Sequence, residues 1–359
     1  MNWKKKMVPD RFKWMSEKIP FWLRFTSPLY GDMVLSVRIR LARNLKGHMF
    51  PLFLNDEKKV RVFNLIRDAL TSIKELKGLR IYEITELEDI EKEFLLERHL
   101  ISKDLLKNGR GRGVCIDMEE KISLMINEED HMRIQVFYPG FMFEEAFMKT
   151  MEIDDLIGSV IEYSFHKKYG FLTSCPTNVG TGFRISCLLH LPASVITGRV
   201  QDIINYSFSQ DITVRGYYGE GSEVLGNIFQ FSSLRTFGKS EEDILSNFKN
   251  AVYKIMDMEK EEREKLMRDS KDLLEDRVLR TIGILKNAKF LTSREVMEYT
   301  SHLRMGAGLN LIDINIEKLN EVMLLNQPAH IQILFGKRME GKERDKFRGI
   351  LIRSRLNIS

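Results

Sequence analysis

Cys175-Pro176-Thr177-Asn178-Val179-Gly180-Thr181-Gly182-Phe183-Arg184 is the run on which the rest of the chain turns. One proline and two glycines within ten positions exclude a helix interior and a regular strand. The run reads as a tight polar loop. Behind it, Arg184-Ile185-Ser186-Cys187-Leu188-Leu189-His190-Leu191 reads as the strand that the loop enters. Loops carried on a rigid sheet are where chemistry is usually mounted. A thiol, small polar residues and an arginine make this loop a candidate site. The plainer alternative is a Gly-rich turn with an incidental cysteine.

Working outward, Ser36-Val37-Arg38-Ile39-Arg40-Leu41 alternates as a strand does and puts Arg38 and Arg40 on one face. Neighbouring guanidiniums repel, so they need an anion between them or water around them. Gly113–Met118 and Lys121–Asn127 predict a hairpin, and with it an antiparallel sheet. The hairpin runs into Asn127-Glu128-Glu129-Asp130-His131-Met132-Arg133, whose three successive acids are costly unless they meet cations or water. Residues 57–77 predict an amphipathic helix, capped by Asn55 and ended by Gly78. Residues 141–169 read as mainly helical, 171–174 as the strand delivering Cys175, and 195–207 as another helix. Val214-Arg215-Gly216-Tyr217-Tyr218-Gly219-Glu220-Gly221-Ser222-Glu223 has three glycines that let backbone approach a ligand closely. After about residue 240 the composition becomes charged and helical, opening on Ser240 and Asp243 as a capping box. The expected fold is α+β: an antiparallel sheet flanked by helices, followed by a mostly helical domain. The expected divisions are an N-terminal segment 1–33 lying on the body, a catalytic domain 34–255 and a helical domain 256–359.

A chain of 359 residues can bury a sizeable core. Its net charge of +5 is too small to imply nucleic acid, so no direct nucleic-acid partner is expected. Cys115, Cys175 and Cys187 lack the spacing of a disulfide framework or a zinc site, which points to a reducing cytoplasm. Cys115 and Cys187 read as small core residues. No secretory signal is evident and no apolar run approaches the ~20 residues of a membrane span, so no membrane partner is expected. There is neither a P-loop nor a protein-kinase signature set. Instead Arg38, Arg40, Arg133, Arg184 and Arg215 each sit at a strand edge or polar loop. Five permanent cations converging on one site would suit a triphosphate. Glu129, Cys175 and Glu220, two carboxylates and a thiol, would suit a cationic acceptor.

Asn127-Glu128-Glu129-Asp130-His131 and Cys175-Pro176-Thr177-Asn178-Val179-Gly180-Thr181-Gly182 resemble the two signature runs of the phosphagen (guanidino) kinase family, and the Ser-x-Arg-x-Arg strand precedes them as it does there. The Arg215–Glu223 run and Arg344-Asp345-Lys346-Phe347-Arg348 look like those of the family's protein-arginine-kinase branch. The chain before the first arginine motif is also too short for the separate helical domain of about a hundred residues found in small-molecule members. The resemblance implies a guanidino-kinase-like sheet with a C-terminal helical, dimerising domain. It implies ATP and Mg²⁺ as cofactors, with the metal held by phosphate and water because no acidic cage is evident and no protein metal ligand is expected. It implies nucleotide binding by Ser36, Val37, Arg38, Ile39, Arg40, His99, Arg133, Arg184, Ile185, Ser186, Cys187, Leu188, Arg215, Gly216, Tyr217, Tyr218 and Gly219. Glu129 and Glu220 would clamp the acceptor guanidinium, with Cys175 beside it as a thiolate favoured by the surrounding cations. Arg344, Asp345 and Arg348 would bind phosphoarginine as a regulatory site. The implied activity is transfer of the γ-phosphoryl group of ATP to arginines of proteins, marking them for Clp-type proteolysis in protein quality control under stress. Implied partners are proteins with exposed arginines, an activator of the McsA type, a Clp unfoldase and a repressor of the CtsR type, with the kinase itself a homodimer. A small-molecule guanidino kinase and a non-catalytic phosphoarginine-binding adaptor remain alternatives. Two departures stand out: Val37 lies where Ser or Thr is usual, and Gly349 where the regulatory motif usually ends in Ala.

Overall fold

The computed structural model describes residues 7–24, 30–107, 109–217 and 224–356. In chain order the elements are α1 (Lys13–Ser16), β1 (Val34–Arg43), α2 (Asp56–Ser72), β2 (Arg80–Glu83), α3 (Asp89–Glu97), β3 (Gly113–Ile116), β4 (Ile122–Ile126), β5 (Met132–Pro139), α4 (Phe143–Gly158), β6 (Phe165–His166), β7 (Gly170–Phe171), β8 (Phe183–His190), α5 (Pro192–Ile196), α6 (Val200–Ser209), β9 (Ile212–Arg215) and β10 (Ile228–Ser233). Five further helices follow: α7 (Glu241–Asp269), α8 (Lys271–Asn287), α9 (Ser293–Gly308), α10 (Ile316–Leu325) and α11 (Pro328–Leu334), and α12 (Gly341–Leu356) closes the described chain.

Eight strands form one sheet in the order β2-β3-β4-β5-β1-β8-β10-β9, and every pairing in it is antiparallel. β1 is therefore a central strand, not an exposed edge. Its alternation divides it between two environments. Val37, Ile39 and Leu41 enter the main apolar core with Ile134, Val136, Ile185 and Cys187, beneath α2, α4 and α7. Ser36, Arg38 and Arg40 point the other way. A second core, built on Phe12, Met15, Trp22, Leu23, Phe94 and Leu95, seats the described part of the N-terminal segment on the sheet.

Several elements differ from their expected spans for local reasons. α2 starts at the expected cap, where Asn55 Oδ1 accepts from the Lys58 amide at 3.0 Å. It stops at Ser72 instead of residue 77: Thr71 and Ser72 turn their hydroxyls onto the Asp68 and Ala69 carbonyls, and Ile73 becomes extended and buried. The helix expected over 195–207 is two helices, separated by Gly198 at φ +74°. The stretch expected as a strand over 171–174 pairs only at Gly170–Phe171. Its next groups are taken by Asn44, which donates to the Leu172 carbonyl at 3.0 Å, and by Ser164, whose carbonyl accepts from the Leu172 amide.

The boundary expected after residue 255 falls inside α7, which is unbroken to Asp269. The first half of α7 buries Ile244, Phe248, Val252 and Ile255 against the sheet. Its second half carries Glu259 and Arg263 to α5 and to Asp32. The break comes at Ser270, the residue between α7 and α8. Ser240 and Asp243 form the expected capping box. Among the described residues no helix is long and apolar enough to cross a membrane.

Buried histidines make the fold sensitive to acid. His190 closes β8 with Nε2 2.7 Å from the Ser301 hydroxyl. Burial, aided by Arg304 and Arg263, holds its imidazole well below the usual 6.5. The unfolded chain protonates such a group near pH 6.5 while the folded one does not, so stability is lost as pH falls through that value. His190→Gln is expected to flatten the decline in melting temperature between pH 7 and 5. An unchanged slope would show that His190 does not carry this dependence.

Candidate active site

The antiparallel register assembles the site. Arg38 lies opposite Phe137 on β5 and Ser186 on β8; Arg40 lies opposite Gln135 and Arg184; Arg133 lies opposite Ala42. Arg215 on β9 lies opposite Gln230, and Gln230 lies opposite Leu188. Directly opposed residues share a face. All five sequence-selected arginines therefore lie on the side of the sheet facing away from the main core. A cleft of about 710 Å³ opens there, bordered by all five together with Glu129, Cys175 and His99. A slot of about 20 Å³ adjoins it, shares Arg38, His99 and Gln230 with it, and is closed by Trp22, Ser36 and Leu188.

Serines set the guanidiniums. Ser232 Oγ accepts from Arg40 at 3.3 Å and from Arg184 at 3.1 Å, and Ser186 Oγ accepts from Arg38 at 3.4 Å. Burial pushes Arg38 down to about 9, aided by the charges of Arg133, Arg184 and Arg215. The same causes, with Arg38 added, place Arg40 well below its ordinary value. This is an electrostatically unfavourable cluster that a polyanion would relieve. Arg40→Met is accordingly expected to raise the melting temperature of the free protein by removing one crowded cation. It should also abolish most of the several-degree rise expected of the parent with saturating Mg-ATP. Scanning calorimetry with and without nucleotide reads both signs; an undiminished nucleotide shift would remove Arg40 from the binding site.

At the other end of the cleft, Glu128 and Glu129 share Arg133. Glu128 is buried and accepts from Arg133 Nη1 at 2.6 Å, from the Ser102 hydroxyl at 2.5 Å and from the Glu129 amide at 2.9 Å. Glu129 lies 3.4 Å from Arg133 Nη2 and is partly exposed to the cleft. Its burial raises the carboxyl, opposed by Arg133 and by a hydrogen bond with Cys175. Cys175 heads a single turn, Pro176–Asn178, with its sulfur 3.0 Å from the Thr177 hydroxyl. That turn leads into Gly182, at φ +63°, where a Cβ would stand 2.6 Å from the Ala42 carbonyl oxygen. The loop can lie this close to β1 only because the residue is glycine.

Asn44 ties these pieces together. Its amide donates to Asp130 Oδ1 at 2.7 Å, and its carbonyl accepts from the His131 amide at 2.9 Å. Asp130 Oδ1 also accepts from the Ser174 amide at 2.7 Å. The residues next to Glu129 and to Cys175 thus meet at one carboxylate oxygen. His131 is structural: Nδ1 accepts from the Leu45 amide at 3.1 Å and Nε2 lies 2.9 Å from the Met49 carbonyl.

The remaining candidates divide by face. Val37, Ile39, Ile185 and Cys187 have their side chains in the core. His99, held down to about 3 by burial and by Arg38, packs its ring against Tyr217 at 4.9 Å and Trp22 at 5.5 Å. Gly216 and Tyr217 are buried beside it. Tyr218, Gly219 and Glu220 lie outside the described residues. Arg344, Asp345 and Arg348 lie on α12, remote in the chain from the cleft and not among its lining. Arg348 is 2% exposed and donates to the Asn326 and Leu291 carbonyls at 2.7 Å each and to Asp345 at 2.5 Å. A Cβ on Gly349 would stand 2.9 Å from the Lys289 carbonyl oxygen, which accounts for glycine there. Glu128, Ser232 and Asn44 were not singled out from sequence. Only Glu128 carried a signal, as one of three crowded acids that needed a cation.

Five arginines, a carboxylate and a thiol lining one cleft fit a guanidino phosphotransferase. Residues 61–262 match the ATP:guanido phosphotransferase C-terminal catalytic domain, and residues 271–359 match the protein-arginine kinase McsB C-terminal domain. The chain is 40% identical over 339 residues to a protein-arginine kinase of Moorella thermoacetica, covering 93% of this chain and 97% of that one. It is 41% identical over 349 residues to a protein-arginine kinase of Geobacillus sp., covering 96% of each. The chain belongs to the protein-arginine kinase family. Among solved structures it resembles the duplicated taurocyamine kinase of Schistosoma mansoni with bound transition-state-analogue components (TM-score 0.60, 25% identity), covering 71% of this chain and 36% of that one. It also shares the fold of a lombricine kinase (TM-score 0.58, 23% identity), covering 68% of this chain and 70% of that one.

Proposed function

We propose that this chain transfers the γ-phosphoryl group of ATP to arginine side chains of proteins. The observation that carries the reading is the one cleft lined by Arg38, Arg40, Arg133, Arg184 and Arg215 together with Glu129 and Cys175. A free guanidinium is a poor nucleophile because its lone pairs are delocalised and its pKa exceeds ~12. Glu129 orients it towards the γ-phosphate and accepts a proton as the N–P bond forms. Cys175 completes the acceptor pocket as a positioning and electrostatic group, and Glu220 is its second carboxylate. The five arginines hold the phosphates in line and neutralise charge on the group in flight. Ser36, Leu188, His99, Gly216, Tyr217, Tyr218 and Gly219 serve the nucleoside end, with Val37, Ile39, Ile185 and Cys187 contributing backbone. Glu128 and Glu129 are both engaged by Arg133, so Mg²⁺ would be held by the phosphates of ATP and would supply positive charge there.

On this reading the product marks proteins for a Clp unfoldase and protease during stress in the cytoplasm. The enzyme works as a homodimer joined through its C-terminal helices, with an activator of the McsA type and a repressor of the CtsR type among its partners. Arg344, Asp345 and Arg348 form a regulatory phosphoarginine site, at which Arg348 would exchange its two carbonyl partners for phosphoryl oxygens.

The test supplies Mg-ATP with an unstructured arginine-containing protein and, separately, with free arginine. Phosphorus NMR reads the acid-labile N–P bond, with Cys175→Ala and Glu220→Ala as controls. Label on the protein alone, lost in both variants, is the expected result. Label on free arginine would make the chain a small-molecule kinase. No transfer to either, even with an McsA-type activator, would leave a binding protein.

A further inference from the structure

Strand pairing sets the side chains of the cleft face in rows. One row reads Ser36 on β1, Leu188 on β8, Gln230 on β10 and Arg215 on β9, each directly opposite the next. Opposed residues share a face and stand about 5 Å apart. The row runs from the slot closed by Trp22 into the cleft that carries the arginines. Among the described residues, three border both spaces: Arg38, His99 and Gln230. They mark the passage from one to the other.

Gln230 stands apart from the other polar side chains of this face. Ser186 is bound to Arg38, and Ser232 to Arg40 and Arg184. Gln135, the other glutamine bordering the cleft, donates to the Leu100 carbonyl at 3.3 Å. Gln230 is 5% exposed, yet among the described residues its carboxamide has no hydrogen-bond partner. A buried amide left open in this way is costly unless something that visits the site completes it. Its backbone is fixed between β8 and β9, so the side chain is presented from the sheet and not from a loop.

The two spaces differ in chemistry. Trp22, Phe137 and Leu188 make the slot apolar, which suits a base, while Arg38, Arg40, Arg184 and Arg215 make the cleft suit phosphates. With about 20 Å³ of free space the slot admits one edge of a base and no more. The sugar is left at its mouth, beside Gln230. A sugar hydroxyl both donates and accepts. Arg38 only donates, whereas a carboxamide does both and is neutral. A carboxylate at the same place would pair with the arginines or repel the phosphates.

We propose that Gln230 holds the ribose hydroxyls of the nucleotide and thereby selects ribonucleotides over their deoxy analogues. The inference rests on the nucleotide reading of the cleft. A site built to hydrogen-bond a substrate hydroxyl rejects the analogue that lacks it, because the site's own polar group is then left unpaired.

The test compares Mg-ADP with Mg-2′,3′-dideoxy-ADP by calorimetry, using the parent chain and Gln230→Met. Methionine keeps the length of the side chain and removes the amide. ADP has no γ-phosphoryl group to transfer, so binding is read alone. The parent is expected to bind ADP about tenfold or more tightly than the dideoxy form. Gln230→Met should lose most of that ratio by weakening ADP, while binding the dideoxy form about as the parent does. Equal binding of the two nucleotides by the parent overturns the proposal, whether or not the variant folds. So does a ratio that survives in the variant, or an equal loss for both nucleotides, which would make Gln230 a packing residue. Binding of neither nucleotide by the parent would remove the nucleotide cleft and the inference with it. A preference for ADP in a chain that transfers nothing to arginine would leave Gln230 in its role and remove the kinase reading instead.

Discussion

Glu129→Gln is expected to lower phosphoryl transfer to arginine about a thousandfold while nucleotide binding stays within a factor of two or three of the parent. The substitution keeps the size of the side chain and keeps an oxygen that can accept from Arg133. On the proposed mechanism it removes the group that would take the proton as the N–P bond forms, and general-base contributions run to roughly 10²–10⁴. The pH profile makes the expectation sharper. Burial raises the Glu129 carboxyl and Arg133 only partly offsets this, so the base form is lost as pH falls through a raised carboxyl value. The parent's rate should therefore decline on the acid side, and the variant's residual rate should lack that limb. Single-turnover rates across pH, with nucleotide affinity measured separately, decide it. A variant within tenfold of the parent would mean that the proton leaves by another route.

Glu259→Ala is expected to cost about 3–5 kcal/mol of stability, the range for removing one partner of a buried ion pair. Glu259 is 0% exposed and accepts four hydrogen bonds: from the Ala193 and Ser194 amides at 3.0 and 2.9 Å, the Ser194 hydroxyl at 2.7 Å and Arg263 Nε at 3.0 Å. Alanine would leave the first amides of α5 without an acceptor and Arg263 with only Asp32. Adding Arg263→Met to Glu259→Ala should recover part of the loss, because the stranded cation goes with it. Denaturant unfolding of the two variants tests this. If the double variant is no more stable than the single one, the unpaired charge is not the source of the cost.

The sequence showed a good deal of this site and hid the rest for identifiable reasons. Strand periodicity alone put Arg38 and Arg40 on one face, and the crowded acids of 128–130 already called for a cation, which proved to be Arg133. The convergence of Arg215 with Arg38 depends on β9 being the outermost strand beyond β10, and local pattern cannot supply strand order. Ser232 acts through partners 192 and 48 residues away. Asn44 looks like an ordinary end-of-strand polar residue until its contacts 86 and 128 residues away are seen. The expected boundary near 255, which lies inside α7, has a different cause. The charged composition after residue 240 reflects the solvent face of α7, and a long helix carries such a face wherever its other side is packed.

β1 has one further consequence. Its core face and its cleft face are interleaved residue by residue, so a slip of one position against β5 or β8 would turn Arg38 and Arg40 into the core and expose Val37, Ile39 and Leu41. The proposed phosphate grip and the hydrophobic interior are thus alternate letters of one word and cannot be misspelled separately. Nucleotide binding in this chain doubles as an assay of correct folding: in any refolded or aggregating sample, the molecules that hold ATP are those whose central strand has found its register.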